Sequence, residues 1–141
     1  MFAAVFVAVN THGKAYIYKE IYKSNLIISE AAKELIEQPE INIVKNIYAP
    51  PDLWNRRNDT GKSASEIFYE NGVRLNKCSA DRINGWLSVK EWIKLYTTRD
   101  EQTGQEIKET NLYVFSNCLN LIRCLPAIQL DDKNPNDVAT E

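Results

Sequence analysis

Short apolar runs alternate with capped helical segments along the chain, and this order predicts an α/β domain. Phe2–Val9 is apolar at every position, as expected for a central strand that is covered on both faces. After a turn at residues 10–13, residues 15–22 alternate apolar and polar side chains, which predicts an antiparallel hairpin with the first strand. The chain is therefore expected to open with two paired strands.

The remaining pattern alternates helices and strands. Ser63 and Glu66 have the spacing of a capping box, so a helix is predicted from there to the stop signal Asn71-Gly72. The order ββαβαβαβα predicts a mixed sheet with helices on both faces. Three further helices are predicted: one over 29–37 capped by Ser29, one from Ser79, and one that Asn117 caps and Pro126 ends. The helix from Ser79 carries an apolar stripe of the kind that faces a core, formed by Ile83, Trp86, Leu87 and Ile93. Strands are predicted over 41–48, 73–77 and 112–115, and a hairpin within 97–110.

Length, charge and cysteine content narrow the class of protein. The 141 residues predict a single domain, with a flexible polar tail over 131–141. A net charge of −2 gives no global positive field, so any nucleic-acid contact must be local. The three cysteines, Cys78, Cys118 and Cys124, show no paired spacing, so they are expected to be small core residues in a reducing compartment. The apolar N-terminal run is shorter than the roughly 20 residues of a membrane span.

Common catalytic motifs are missing from the sequence. His12 is the only histidine, which excludes His-dependent triads and multi-histidine metal sites. Gly61-Lys62-Ser63 resembles the end of a phosphate-binding loop, but Arg56 stands where that motif needs its first glycine. Lys62, just before the predicted helix, remains able to attract a phosphate.

Asp52 is the carboxylate whose position is most informative. It follows the predicted strand 41–48 and the Pro50-Pro51 pair, and Arg56 and Arg57 come soon after it. Sites in α/β sheets lie at strand ends, so Asp52 is a candidate for catalysis or metal binding. An aspartate after two prolines is equally typical of a turn or a helix cap.

Five segments, in the same order, resemble phage terminase large subunits. Together they cover nearly the whole chain, so the likeness is specific. They are Tyr48-Ala-Pro-Pro-Asp-Leu-Trp-Asn-Arg-Arg, Asp59-Thr-Gly-Lys-Ser-Ala-Ser-Glu-Ile-Phe-Tyr-Glu-Asn-Gly-Val, Asn84-Gly-Trp-Leu-Ser-Val-Lys-Glu-Trp, Val114-Phe-Ser-Asn-Cys-Leu-Asn-Leu-Ile-Arg-Cys-Leu-Pro and Asn134-Pro-Asn-Asp-Val-Ala-Thr.

The resemblance implies a ribonuclease H-like nuclease domain that cuts concatemeric phage DNA with two divalent ions, Mg²⁺ or Mn²⁺. Asp52 would be its middle acidic residue, displaced by two positions from the usual Ala-Asp-Pro context. The first acid would precede Met1 and the last would follow Glu141, so we expect an incomplete, inactive nuclease site. The resemblance also implies the cytoplasm of a bacterial host and contact with double-stranded DNA, for which the candidates are Arg56, Arg57 and Lys62.

Two other functions stay open at this point. A non-catalytic DNA-binding module would bind DNA in a salt-dependent way without a divalent ion. A protein-interaction module would depend on Trp54 and residues 97–110, with other terminase or portal components as partners. The edge of the first strand would also allow self-association by strand pairing.

Overall fold

The computed structural model describes residues 1–135 and 137–139, which form a mixed α/β structure with small sheets and several helices. The chain divides into two compact units: unit 1 contains residues 1–2 and 23–80, and unit 2 contains residues 3–22 and 81–141. The elements are β1 (Phe2–Val9), β2 (Ala15–Lys23), α1 (Ile28–Ile36), β3 (Tyr48–Ala49), α2 (Ala64–Glu70), β4 (Asn76–Lys77), α3 (Arg82–Ile93), β5 (Tyr96–Arg99), β6 (Glu106–Glu109), β7 (Leu112–Val114), α4 (Leu119–Cys124) and the 3₁₀ helices Pro39–Asn42, Pro51–Trp54 and Leu125–Ala127.

The largest sheet lies in unit 2 and has the strand order β1-β2-β7. The turn between β1 and β2 is closed by a 2.9 Å hydrogen bond from the Asn10 N–H to the Lys14 carbonyl, and so short a connection makes these neighbours antiparallel. β2 pairs in parallel with β7. The predicted hairpin and the predicted strand at 112–115 are therefore confirmed, and the sheet is mixed.

β1 is an edge strand, which corrects the prediction that it lies in the centre of the sheet. Phe6 is its one buried residue, whereas Val5, Val7 and Val9 are exposed. A strand that is apolar on both faces can be buried, but its sequence does not show that it is. The elements that would cover it come from distant parts of the chain. β2 occupies the central position instead, and Ala15, Ile17 and Ile21 are buried along it. The prediction of pairing between chains at the β1 edge stays open.

A carboxylate on β2 fixes the start of α4. Glu20 accepts hydrogen bonds from the N–H groups of Asn120 (2.8 Å) and Leu121 (2.9 Å). Asn117, which was predicted to cap this helix, instead donates its side-chain amide to the Tyr18 carbonyl at 3.0 Å. The cap is thus supplied from about 100 residues away in sequence, which no local pattern reveals.

We expect the stability of unit 2 to depend on the ionisation of Glu20. Partial burial acts to raise the pKa of Glu20, but the N–H groups of Asn120 and Leu121 lower it below the ordinary value of 4.5. A lowered folded-state pKa stabilises the fold above pH 4.5, and this stabilisation is lost as the pH falls through the lowered pKa.

The Glu20→Gln variant tests this linkage by thermal melting. We expect a melting temperature a few degrees below wild type at pH 7 and a smaller deficit at pH 3, where the carboxyl group begins to protonate. An equal deficit at both pH values would show that the loss comes from packing and not from charge.

Unit 1 is built around two helices and a buried apolar group. Its two-stranded sheet pairs β3 with β4 in parallel. The predicted strand 41–48 is wrong over most of its length, because Pro39 begins a 3₁₀ helix that ends at Asn42, and Ile43 beyond it is 77% exposed. The predicted strand at 73–77 shortens to Asn76–Lys77. The buried apolar residues of unit 1 are Ala31, Ala32, Leu35, Ala49, Phe68 and Val73.

The helix predicted from Ser79 exists but buries none of its residues. α3 begins at Arg82, after Asp81 accepts a 3.0 Å hydrogen bond from the Asn84 N–H. Trp86 is half-buried, and the other three residues of the predicted stripe, Ile83, Leu87 and Ile93, are exposed. The expectation that this stripe is part of the core is therefore wrong. α1 likewise starts at Ile28, one residue before its predicted cap Ser29.

The remaining predictions concern the C-terminal half and the membrane. The hairpin predicted within 97–110 is confirmed by the antiparallel pair β5 and β6, whose loop contains Gly104 at φ +68°. The predicted flexible tail includes residues 136, 140 and 141, which lie outside the described residues; within the described part, Leu130 and Val138 form a β-bridge. No described helix combines the length and the apolar character of a membrane span.

Candidate functional site

The start of α2 is fixed by its own sequence, as the capping-box prediction required. The Ser63 Oγ accepts a 3.2 Å hydrogen bond from the Glu66 N–H, and the Glu66 carboxylate accepts one of 2.7 Å from the Ser63 N–H. Ser63 is 3% exposed, so its side of this reciprocal pair is sheltered from water, whereas Glu66 is exposed. The predicted helix stop is also confirmed, since Asn71 is the C-cap and Gly72 has φ +87°.

The loop before α2 folds back on itself and brings Arg56 and Lys62 to the same side. Arg56 and Ser63 form an antiparallel β-bridge, and the Arg57 N–H donates to the Lys62 carbonyl at 3.0 Å. Gly61 has φ +68°, a conformation that a side chain rarely adopts, and its N–H donates to the Arg57 carbonyl at 2.9 Å. Residues 56–63 are therefore a closed hairpin loop.

An open cleft of about 470 Å³ lies between this loop and α2, entirely within unit 1, and we name it the Trp54 cleft. Two of the predicted nucleic-acid contacts, Arg56 and Lys62, line it, whereas Asp52 and Arg57 do not. The full lining consists of Trp54, Arg56, Lys62, Ser63, Ser65, Glu66, Tyr69, Glu70, Arg74 and Leu75.

The charges of the Trp54 cleft are mixed, with three cations and two carboxylates. Lys62 pairs with Glu70 at 2.6 Å. The hydrogen bond from the Ser63 N–H, with the positive charge of Arg56 as a further cause, holds the pKa of Glu66 below its ordinary value. Within the described part of the chain, the guanidinium groups of Arg56 and Arg74 form no ion pair. Both guanidinium groups therefore keep hydrogen-bond donors that an external anion can use, and Arg56 also lies near enough to Glu66 to lower the pKa of that carboxylate.

Two aromatic side chains accompany these charges. Trp54 is half-buried, and the Lys77 ammonium lies 5.4 Å from the centroid of its ring. Tyr69 is 69% exposed, and among the residues that the structure describes its ring has no aromatic partner. The cleft therefore offers both a flat apolar surface and positive charge.

Asp52 follows the end of a strand and the Pro50-Pro51 pair, as predicted, but its surroundings differ from those expected. β3 is only two residues long, and Asp52 is an exposed residue of the 3₁₀ helix Pro51–Trp54. Arg57, predicted to lie near it, instead makes two hydrogen bonds to Asp59, of 3.1 and 2.9 Å, which lower the pKa of that aspartate. Arg57 is therefore already paired with Asp59, and it is not held beside Asp52.

The described residues do not fit a two-metal site. Two divalent ions about 4 Å apart need several converging carboxylates. No group of three or more His, Cys, Asp or Glu side chains in residues 1–135 and 137–139 is arranged to hold a metal ion. We therefore assign no metal-dependent step to these residues.

The three cysteines lie in different surroundings. Cys118 is buried, as expected of a core residue, and burial raises the pKa of its thiol, so the reactive thiolate is disfavoured. Cys78 and Cys124 are exposed, which corrects their assignment to the core.

Tyr69 and Arg74 were missed by the sequence analysis, although a signal for Tyr69 was present. Glu66, Tyr69 and Glu70 are spaced as neighbours on one face of α2, and Ser63 and Lys62 come just before it. Arg74 lies beyond the Gly72 turn, and only the fold brings it to the cleft.

The comparisons with known proteins assign no family to this chain. No protein-family model, curated protein or solved structure matches the chain. The proposals below therefore rest on the residues themselves and on the resemblance in the five ordered segments.

Proposed function

We propose that this chain is part of the nuclease domain of a phage terminase large subunit, and that the Trp54 cleft is one of its DNA contacts. The observation that carries the DNA contact is the unpaired positive charge of Arg56 and Arg74 beside exposed aromatic surface. Arginine is well suited to phosphate because its guanidinium donates hydrogen bonds in a planar fork. A ribonuclease H-like fold belongs to the same proposal, and the mixed sheet β1-β2-β7 is compatible with it.

The proposal assigns DNA contact, and not cleavage, to the described residues. The resemblance implies metal-dependent cutting of concatemeric DNA by the whole protein, but the two-metal requirement is not met by Asp52 alone. We therefore expect this chain to bind DNA without a divalent ion and to cut it poorly or not at all.

The test is the salt dependence of DNA binding, measured by fluorescence anisotropy. The probe is a labelled duplex with a single-stranded tail, so that either form of DNA can bind. We expect the logarithm of the affinity to fall linearly with the logarithm of salt concentration, with a slope of about −2 to −3 for the cations of the cleft. EDTA should leave the affinity unchanged.

The opposite results have distinct meanings. Binding that requires Mn²⁺ and is lost in Asp52→Asn would favour a surviving nuclease site over a simple DNA contact. Absence of any salt-dependent binding would overturn the proposed DNA contact. It would leave the protein-interaction alternative, in which Trp54 contacts another protein.

A further inference from the structure

We infer that the Trp54 cleft takes an unpaired strand of nucleic acid, with a base stacked on Tyr69 and the neighbouring phosphates between Arg56 and Arg74. This inference rests on the proposed function and specifies the form of DNA that the cleft recognises. It starts from the combination of an exposed ring with two unpaired guanidinium groups in one cleft. Stacking rings together with backbone-tracking cations are the two components of single-strand binding sites.

The ring of Tyr69 is the first argument for an unpaired strand. In a duplex the faces of the bases are covered by the neighbouring base pairs, so an aromatic side chain has no base face to stack on. Tyr69 is 69% exposed, and no ring contact or hydrogen bond holds its side chain elsewhere in the described part of the chain. Such a side chain can stack on a base at little cost in lost internal contacts.

The size of the cleft is the second argument. The cleft is open to solvent, and its volume of about 470 Å³ is in the range of small-molecule sites. A nucleotide or two fits a space of this kind, whereas a double helix could touch only its rim. The cleft therefore suits local binding of a strand end or a separated strand.

The carboxylates in the cleft are the third argument. A cleft that held only a phosphate backbone would be weakened by Glu66 and Glu70, which repel phosphate. Carboxylates accept hydrogen bonds from the amino groups of cytosine and adenine, and these edges are available on unpaired bases. Glu70, which is half-exposed beside Lys62, is in a position to accept such a bond.

The experiment compares a labelled single strand with a blunt duplex of the same length, using wild type and Tyr69→Ala. We expect the single strand to bind more tightly, and Tyr69→Ala to weaken that binding about tenfold through loss of stacking. Tyr69→Phe keeps the ring and should bind within about twofold of wild type. Tyr48→Ala is the matched control, because Tyr48 is 68% exposed in the same unit but lies outside the cleft.

The outcomes separate this inference from the proposed function. Equal or tighter binding of the blunt duplex, with no effect of Tyr69→Ala, would overturn the unpaired-strand inference and leave the DNA contact standing. Binding of neither probe would overturn both. An equal loss in Tyr48→Ala and Tyr69→Ala would show that the effect is not specific to the cleft and would also overturn the inference.

Discussion

Replacing both Arg56 and Arg74 with glutamine is expected to weaken DNA binding roughly 50-fold at about 0.1 M salt. Both guanidinium groups line the Trp54 cleft, and neither forms an ion pair among the residues that the structure describes. Each phosphate contact removed should reduce the salt slope by about 0.7 for a single strand and about 0.9 for a duplex, so two contacts account for a loss of about 25- to 60-fold at this salt concentration. Fluorescence anisotropy over a series of salt concentrations measures both quantities.

Two controls distinguish the effect of the cations in the Trp54 cleft from the effect of the protein's net charge. Arg99→Gln/Arg123→Gln removes the same number of positive charges from exposed positions in unit 2, and it should leave the salt slope close to wild type. Arg57→Gln tests the predicted contact that the structure places outside the cleft, where Arg57 is held by Asp59. If either control weakened binding as much as the double variant, DNA would be held by the general charge of the surface.

The Arg56 and Arg57 pair shows what sequence can and cannot predict about a site. Two adjacent arginines after Asp52 indicated a local basic site, and Arg56 does line the cleft. Their separate environments depend on the loop that Gly61 closes, which turns Arg57 towards Asp59. The local sequence predicts that positive charge is present. Whether an arginine can bind a ligand depends on the partners that the folded chain places beside it.

In the fold too, elements that depend on nearby residues were predictable, and elements that depend on distant residues were not. The capping box of α2 and the β5–β6 hairpin were predictable because their partners lie close in sequence, three residues apart in the capping box and at most 13 apart in the hairpin. The central position of β2 depends on pairing with β7, almost 100 residues later, and the cap of α4 depends on Glu20. Apolar patterns alone placed β1 at the centre and the α3 stripe in the core, because a pattern does not specify its partner.

Replacing Phe68 with alanine is expected to have the largest effect on stability, about 3 to 5 kcal/mol of unfolding free energy. Phe68 lies on α2 and is 5% exposed, in the unit that also buries Leu35 and Val73. The loss combines the transfer of a large ring to water with the cavity that remains. Small domains are stable by about 5 to 15 kcal/mol, so the variant should be near the limit of folding. Urea denaturation followed by circular dichroism measures the change.

Tyr69→Ala is the matched control, since it removes the adjacent aromatic ring from the exposed side of the same helix. We expect its unfolding free energy to stay within about 0.5 kcal/mol of wild type. An unchanged denaturation midpoint in Phe68→Ala would contradict the assignment of Phe68 to the core. Phe68→Ala should lose DNA binding in proportion to the fraction of molecules that is unfolded, because the cleft forms only when α2 is folded, whereas Tyr69→Ala should lose affinity for a single strand while remaining folded. This pair of variants therefore separates the core face of α2 from its binding face.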